Sequence, residues 1–156
     1  MSKKKKLRNS VKAVIIQDGK LLVLRKKDGA RAYTVLPGGG QKFRETLHQA
    51  LKREVFEEIS TKVSIGKLIH IREYYSEKHD FAYEDREIHQ VEFFFKCNLV
   101  ESYHPKNGHF PDPHQKEVVW VELDQLDEAN FYPVALRKIL KDLKHDKFPI
   151  YLGECN

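Results

Sequence analysis

The segment Glu45–Ile59 constrains the fold of this chain more than any other stretch. Leu47, Leu51, Val55 and Ile59 recur every four residues with no Pro or Gly among them, which predicts an amphipathic helix that must bury one side. Directly before it stand Pro37, Gly38, Gly39 and Gly40. A tight loop without side chains lets backbone amides and carbonyls approach a ligand closely. A short strand over Tyr33–Leu36 leads into that loop, so the chain reads strand, glycine turn, helix.

The flanking sequence supplies the sheet. Val11–Gln17 and Leu21–Arg25 are apolar runs separated by Asp18-Gly19, a strong two-residue hairpin signal. Val63–Tyr75, His89–Leu99 and Glu117–Leu123 are strand-like, and a final amphipathic helix is expected over Val134–Leu143, with Pro133 at its start. Strands mixed with two helices predict an α/β (α+β) chain with a mixed central sheet and helices packed on its faces. The 156 residues suit one domain, read as residues 9–156 after a disordered basic tail, residues 1–8, that contains Lys3–Lys6. Two connections, Ser76–Ile88 and Glu101–Lys116, are long and polar, and loops of that length in a compact domain are functional or mobile.

Composition closes off several classes. No run of about 18 apolar residues can span a bilayer, and no apolar stretch follows the basic start, as a signal peptide requires. A cytoplasmic protein is the default. Cys97 and Cys155 make neither a disulfide framework nor a zinc motif, and Cys97, inside the run Phe93–Cys97, reads as a buried small side chain. Lys and Arg number 28 against 23 Asp and Glu, a net charge of +5. That balance favours small phosphates, RNA and acidic lipids alike.

The chemistry lies on the first helix. Glu54, Glu57 and Glu58 stand at i, i+3 and i+4, so three carboxylates share one face where like charges repel. On a helical wheel with Leu47 at zero and about 100° per residue, the apolar stripe spans about 0° to 120° and the acids fall near 340°, 280° and 20°. The acids therefore border the buried stripe, and Gln49, Lys52, Arg53 and Phe56 take the far side. Clustered, partly desolvated carboxylates need protonation or a cation, and Mg²⁺ is a hard ion that prefers carboxylate oxygen and leaves positions open for phosphate. An acidic helix edge with a purely structural role is the competing reading.

The stretch Gly39–Thr61 resembles the Nudix box: Gly, five residues, Glu, seven residues, Arg-Glu, an aliphatic residue, any residue, Glu-Glu. Gly39, Glu45, Arg53, Glu54, Val55, Glu57 and Glu58 stand in register with it. Ser60 and Thr61 replace the closing glycine and aliphatic residue, and a non-glycine at that helix stop costs up to about 1 kcal/mol. Lys42 and Arg44 stand where many members carry Glu and Gly. The resemblance implies a Nudix-like α/β/α sandwich around a mixed sheet with a loop-helix-loop motif.

It further implies a pyrophosphohydrolase of nucleoside diphosphate derivatives: ADP-ribose, a nucleotide sugar or a nucleoside triphosphate. Glu54, Glu57, Glu58 and the Gly38 carbonyl would hold Mg²⁺ or Mn²⁺. Arg53 and Glu45 would orient the acids, and Gly39 and Gly40 would lie against the phosphates. For the general base, Glu54 and a loop acid both remain open. Glu117 reads equally as a further metal carboxylate or a solvent-facing strand residue, and Arg25 as a phosphate contact or a strand-end charge. Glu84, Asp85 and Glu87 are weaker acid candidates. Phe110 and Tyr103 read as locally packed loop aromatics rather than base platforms, and His104, His109 and His114 match no zinc spacing. The partner is a small nucleotide, and the chain a monomer or homodimer without membrane attachment. An RNA-end hydrolase, prompted by Lys3–Lys6, and a non-catalytic nucleotide sensor are the alternatives.

Overall fold

The computed structural model describes residues 4–78, 86–142 and 147–156, with Arg86 taken as backbone alone. Among these residues, nine strands and two helices form: β1 (Lys4–Gln17), β2 (Lys20–Asp28), β3 (Arg31–Val35), β4 (Gly38–Gly40), α1 (Leu47–Ile59), β5 (Val63–Tyr75), β6 (Arg86–Leu99), β7 (Gln115–Glu122), β8 (Phe131–Tyr132), α2 (Ala135–Asp142) and β9 (Tyr151–Glu154). None of the helices is long and apolar enough to cross a membrane.

The strands make one mixed sheet in the order β8-β3-β2-β1-β6-β5-β9, with β4 also on β1 and β7 also on β2. The central pairing of β1 with β6 is parallel, as are β3 with β8 and β5 with β9, and the others are antiparallel. Strand alternation then sorts two cores. Val11, Ala13 and Ile15 of β1 with Leu22 and Leu24 of β2 pack against Ala50, Leu51, Val55 and Ile59 of α1. Val14, Leu21 and Val23 point the other way, against Leu136, Ile139 and Leu140 of α2. This is the expected helix-sheet-helix sandwich.

The Asp18-Gly19 turn has both φ values positive, 52° and 73°, as a tight hairpin requires. Two elements differ from expectation. Strand β1 begins at Lys4, so residues 4–8, read as part of a disordered tail, pair in parallel with Arg86–Gln90. The lysine run shows no apolar alternation, and the pairing comes from a distant strand's backbone. The glycine loop is itself a short strand, with Gly38 opposite Lys12 and Gly40 opposite Ser10. Gly38 has φ 137°, and a Cβ there would fall on the Val11 carbonyl oxygen.

Candidate active site

Helix α1 is held at both ends. Thr46 caps its start through a reciprocal pair of bonds: the Gln49 amide donates to the Thr46 hydroxyl and the Thr46 amide to the Gln49 side chain, at 3.1 and 2.9 Å. At the other end, loop 101–116 satisfies carbonyls that a helix leaves unpaired. The Phe110 amide donates to the Glu57 carbonyl at 2.9 Å and the Gly108 amide to that of Glu58 at 2.8 Å. The Tyr103 hydroxyl donates to the Ile59 carbonyl at 2.8 Å, and the Gln115 side chain also reaches Glu58. Ser60, in place of the motif's glycine, closes the helix in the left-handed region at φ 55°. The second long loop is therefore a structural collar around the carboxylate end of α1. Of the first, Glu84 and Asp85 lie outside the described residues, while Glu87 lies in β6 opposite Lys5.

The glycine strand faces the acids. Glu58, 2% exposed, accepts a hydrogen bond from the Gly38 amide at 2.7 Å. Burial pushes its carboxyl up to about 8; Lys12 and the Gly38 amide pull the other way, while Asp112 and Glu54 reinforce the rise. Gly39 lies against Glu54, and Lys12 donates to the Gly38 carbonyl at 3.3 Å.

Arg53 ties this arrangement together. Its guanidinium donates to Glu45 at 2.5 and 3.0 Å, to Glu54 at 2.7 Å, to Glu57 at 3.3 Å and to the Gly40 carbonyl at 2.9 Å. The wheel expectation of Arg53 on the far side is corrected: a long side chain folds back over the helix rim toward four oxygen-bearing partners. The Arg53 hydrogen bonds, helped by the Lys42 amide and opposed by partial burial, bring the Glu45 carboxyl down to about 2, while Glu45 and Glu54 raise the Arg53 guanidinium.

The residue types suit a divalent ion. The carboxylates of Glu54, Glu57 and Glu58 carry oxygen donors of the kind Mg²⁺ prefers. Among the described residues, no group of three or more acid, histidine or cysteine side chains is arranged to hold a metal ion. Arg53 bridges Glu54 and Glu57, while the Gly38 amide holds Glu58.

Two cavities adjoin here. One, of about 420 Å³, is lined by Arg53, Glu54, Glu57, Glu58, Gly39 and Phe110. The other, of about 240 Å³, is lined by Lys12, Lys26, Tyr33, Arg72, Glu92 and Tyr132, and both share Arg8, Gly39 and Asp112. Within the second cavity the Arg72 guanidinium donates to Glu92 at 2.5 Å, and Lys26 pairs with Asp112 at 2.7 Å. Burial would raise the Glu92 carboxyl, but Arg72, followed by Lys12, holds it below the usual carboxylate range.

Several candidates sit elsewhere. Arg25 and Glu117 face each other across β2 and β7, form an ion pair and line neither cavity. Phe110 is 69% exposed at the rim of the carboxylate cavity, and the His109 ring packs on Phe56 at 5.6 Å. Cys97 is buried, with its thiol pushed up to about 12 by burial. Arg8, Lys12, Lys26, Arg72 and Glu92 were not singled out from the sequence. The spacing of Arg8, Ser10 and Lys12 at every second position of β1 is the signal that could have found the first two.

The family model described as the NUDIX domain matches residues 6–143. None of the curated protein sequences matches the chain. A solved NUDIX hydrolase from Nitrosomonas europaea is similar at 22% identity and TM-score 0.70, covering 91% of each chain. A MutT protein from Bacillus halodurans is 21% identical, with TM-score 0.69, over 94% of this chain and 88% of that one. An ADP-ribose pyrophosphatase from Streptococcus suis is 18% identical, with TM-score 0.61, over 96% and 98%. At these identities the likeness is one of fold.

Proposed function

The chain belongs to the Nudix family, and on that footing we propose that it is a divalent-metal-dependent pyrophosphohydrolase of small nucleoside diphosphate derivatives. The observation that carries this reading is the packing of Glu54 and Glu58 against the side-chain-free backbone of Gly38 and Gly39, with Arg53 joining Glu54, Glu57 and the Gly40 carbonyl.

Glu54, Glu57, Glu58 and the Gly38 carbonyl would hold Mg²⁺ or Mn²⁺. When bound, the ion supplies charge neutralisation at the phosphate oxygens and an acidified water. The protein's own residues do the rest. Gly39 and Gly40, without side chains, let the Glu54 carboxylate and the Arg8 guanidinium close on the strand's backbone, where they would flank a diphosphate. Arg53, fixed by Glu45, sets the orientation of Glu54 and Glu57, and Glu54 is the candidate to take the proton from the attacking water. Arg8, on the wall common to both cavities, and Lys12, in the smaller one, supply positive charge to the phosphates. Arg25 and Glu117, paired with each other, have no part in this reading.

ADP-ribose, a nucleotide sugar and a nucleoside triphosphate are the candidate substrates, the first because one neighbour bears the name ADP-ribose pyrophosphatase. Incubation of a panel of these with Mg²⁺ or Mn²⁺, with products resolved by ion exchange, tests the reading. A nucleoside monophosphate is expected from at least one substrate, and intact substrates throughout would overturn it.

A further inference from the structure

A third depression, a groove of about 620 Å³, runs off the carboxylate cavity and shares Arg8, Gly40 and Lys42 with it. Its walls are the first half of β1 and the turn between β4 and α1. Its charged side chains are Lys6, Arg8, Lys42 and Arg44 against one acid, Glu45, and Glu45 is already engaged by Arg53. The groove is thus cationic up to the edge of the carboxylates. In the same turn Phe43 is 90% exposed, with the Arg44 guanidinium 5.4 Å from its ring centroid. A phenylalanine so placed contributes almost nothing to the core and leaves the ring face away from Arg44 open. Leu7, across the groove, is 69% exposed. A basic track with an open aromatic is the combination that holds single-stranded nucleic acid: cations follow the backbone and the ring stacks on any base.

We propose that this groove is a second subsite, for a single strand of nucleic acid leading away from a 5′ phosphate end seated at the carboxylates. Phe43 stacks on a base, and Arg44 and Lys6 contact the backbone. The inference rests on the reading of the carboxylate cavity as a pyrophosphate site for where the strand's end lies. A mononucleotide occupies the two smaller cavities and leaves this groove open.

Removing residues 1–8 is not a clean test, because it takes away Lys4–Arg8, the first five residues of β1. Substitution at exposed positions is. The probe is a labelled ten-nucleotide oligoribonucleotide with a 5′-hydroxyl end, which carries no anhydride to cleave, followed by fluorescence anisotropy across a salt series. Wild-type protein is expected to bind it in a salt-dependent manner. Phe43→Ala weakens binding at least about fivefold, and Arg44→Glu weakens it and lowers the salt slope by about one. Both variants should hydrolyse the best mononucleotide of the panel at the wild-type rate.

Absent binding by the wild type, or equal binding by both variants, would overturn the subsite. Parallel loss of mononucleotide turnover would also overturn it, assigning the groove to the distal part of a small substrate. If the oligonucleotide pattern holds while no mononucleotide is turned over, the groove stands and the catalytic reading fails.

Discussion

Gly39 lies so close to Glu54 that a Cβ on the glycine would sit 2.6 Å from the carboxyl carbon. The flexible carboxylate, rather than backbone, is what would give way. Gly39→Ala is therefore expected to fold and to displace Glu54. A displacement of the order of 1 Å at a reacting centre costs up to about a hundredfold in rate. A normal thermal unfolding curve with kcat/KM reduced at least about tenfold is the predicted pair of results.

Gly108 presents the opposite case. A Cβ there would fall on the backbone carbonyl of Glu57, which cannot rotate away. Gly108→Ala should cost about 1–3 kcal/mol as overpacking and loosen the collar from the helix end. Tyr103→Phe, which removes the hydroxyl's bonds to the Ile59 carbonyl and to the Lys106 backbone, should cost about 1–2 kcal/mol. Urea midpoints at constant m-value measure both.

Ser60 adopts φ 55° where a glycine is free of strain. Ser60→Gly is expected to stabilise the protein by up to about 1 kcal/mol and to leave turnover unchanged. A shift of the urea midpoint to higher concentration checks it.

The Arg53 hydrogen bonds hold the Glu45 carboxyl at about 2 against an ordinary 4.5. A carboxyl lowered on folding contributes stability that is present above its unfolded value and lost as pH falls through the folded one. Wild-type stability should therefore decline between pH 4.5 and 2 more steeply than that of Glu45→Gln. Melting temperatures in that window, measured on both proteins, give the comparison.

Much of this architecture was written in local patterns. The four-residue recurrence of Leu47, Leu51, Val55 and Ile59 located α1, and all but the half-buried Leu47 are fully buried against the sheet. Asp18-Gly19 marked the hairpin because its conformation is a property of those two residues. What stayed hidden depends on distant partners. Lys4–Arg8 form strand only because β6 lies alongside. The collar of loop 101–116 is built largely from backbone groups, Gly108 and Phe110 among them, which carry no residue code. Arg53 escaped the helical wheel because a wheel records Cβ directions, and a long side chain reaches well beyond its own. Arg25 and Glu117 gave ambiguous readings, and their mutual pairing follows from a β2–β7 register invisible in either segment.

The central claim is that Glu54, Glu57 and Glu58 act as a divalent-ion site for a diphosphate. Glu57 is the most informative position, because it is on the helix rim and makes a 3.3 Å contact with Arg53 rather than a core contact. Isothermal titration of wild-type and Glu57→Gln protein with Mn²⁺, with nucleotide turnover measured on the same samples, tests the claim most directly. The account predicts metal binding by the wild type, its marked weakening in Glu57→Gln, and turnover lower by on the order of a hundredfold in a variant with an unchanged unfolding transition. Wild-type-like turnover in Glu57→Gln, or no heat of Mn²⁺ binding to the wild type, would contradict it.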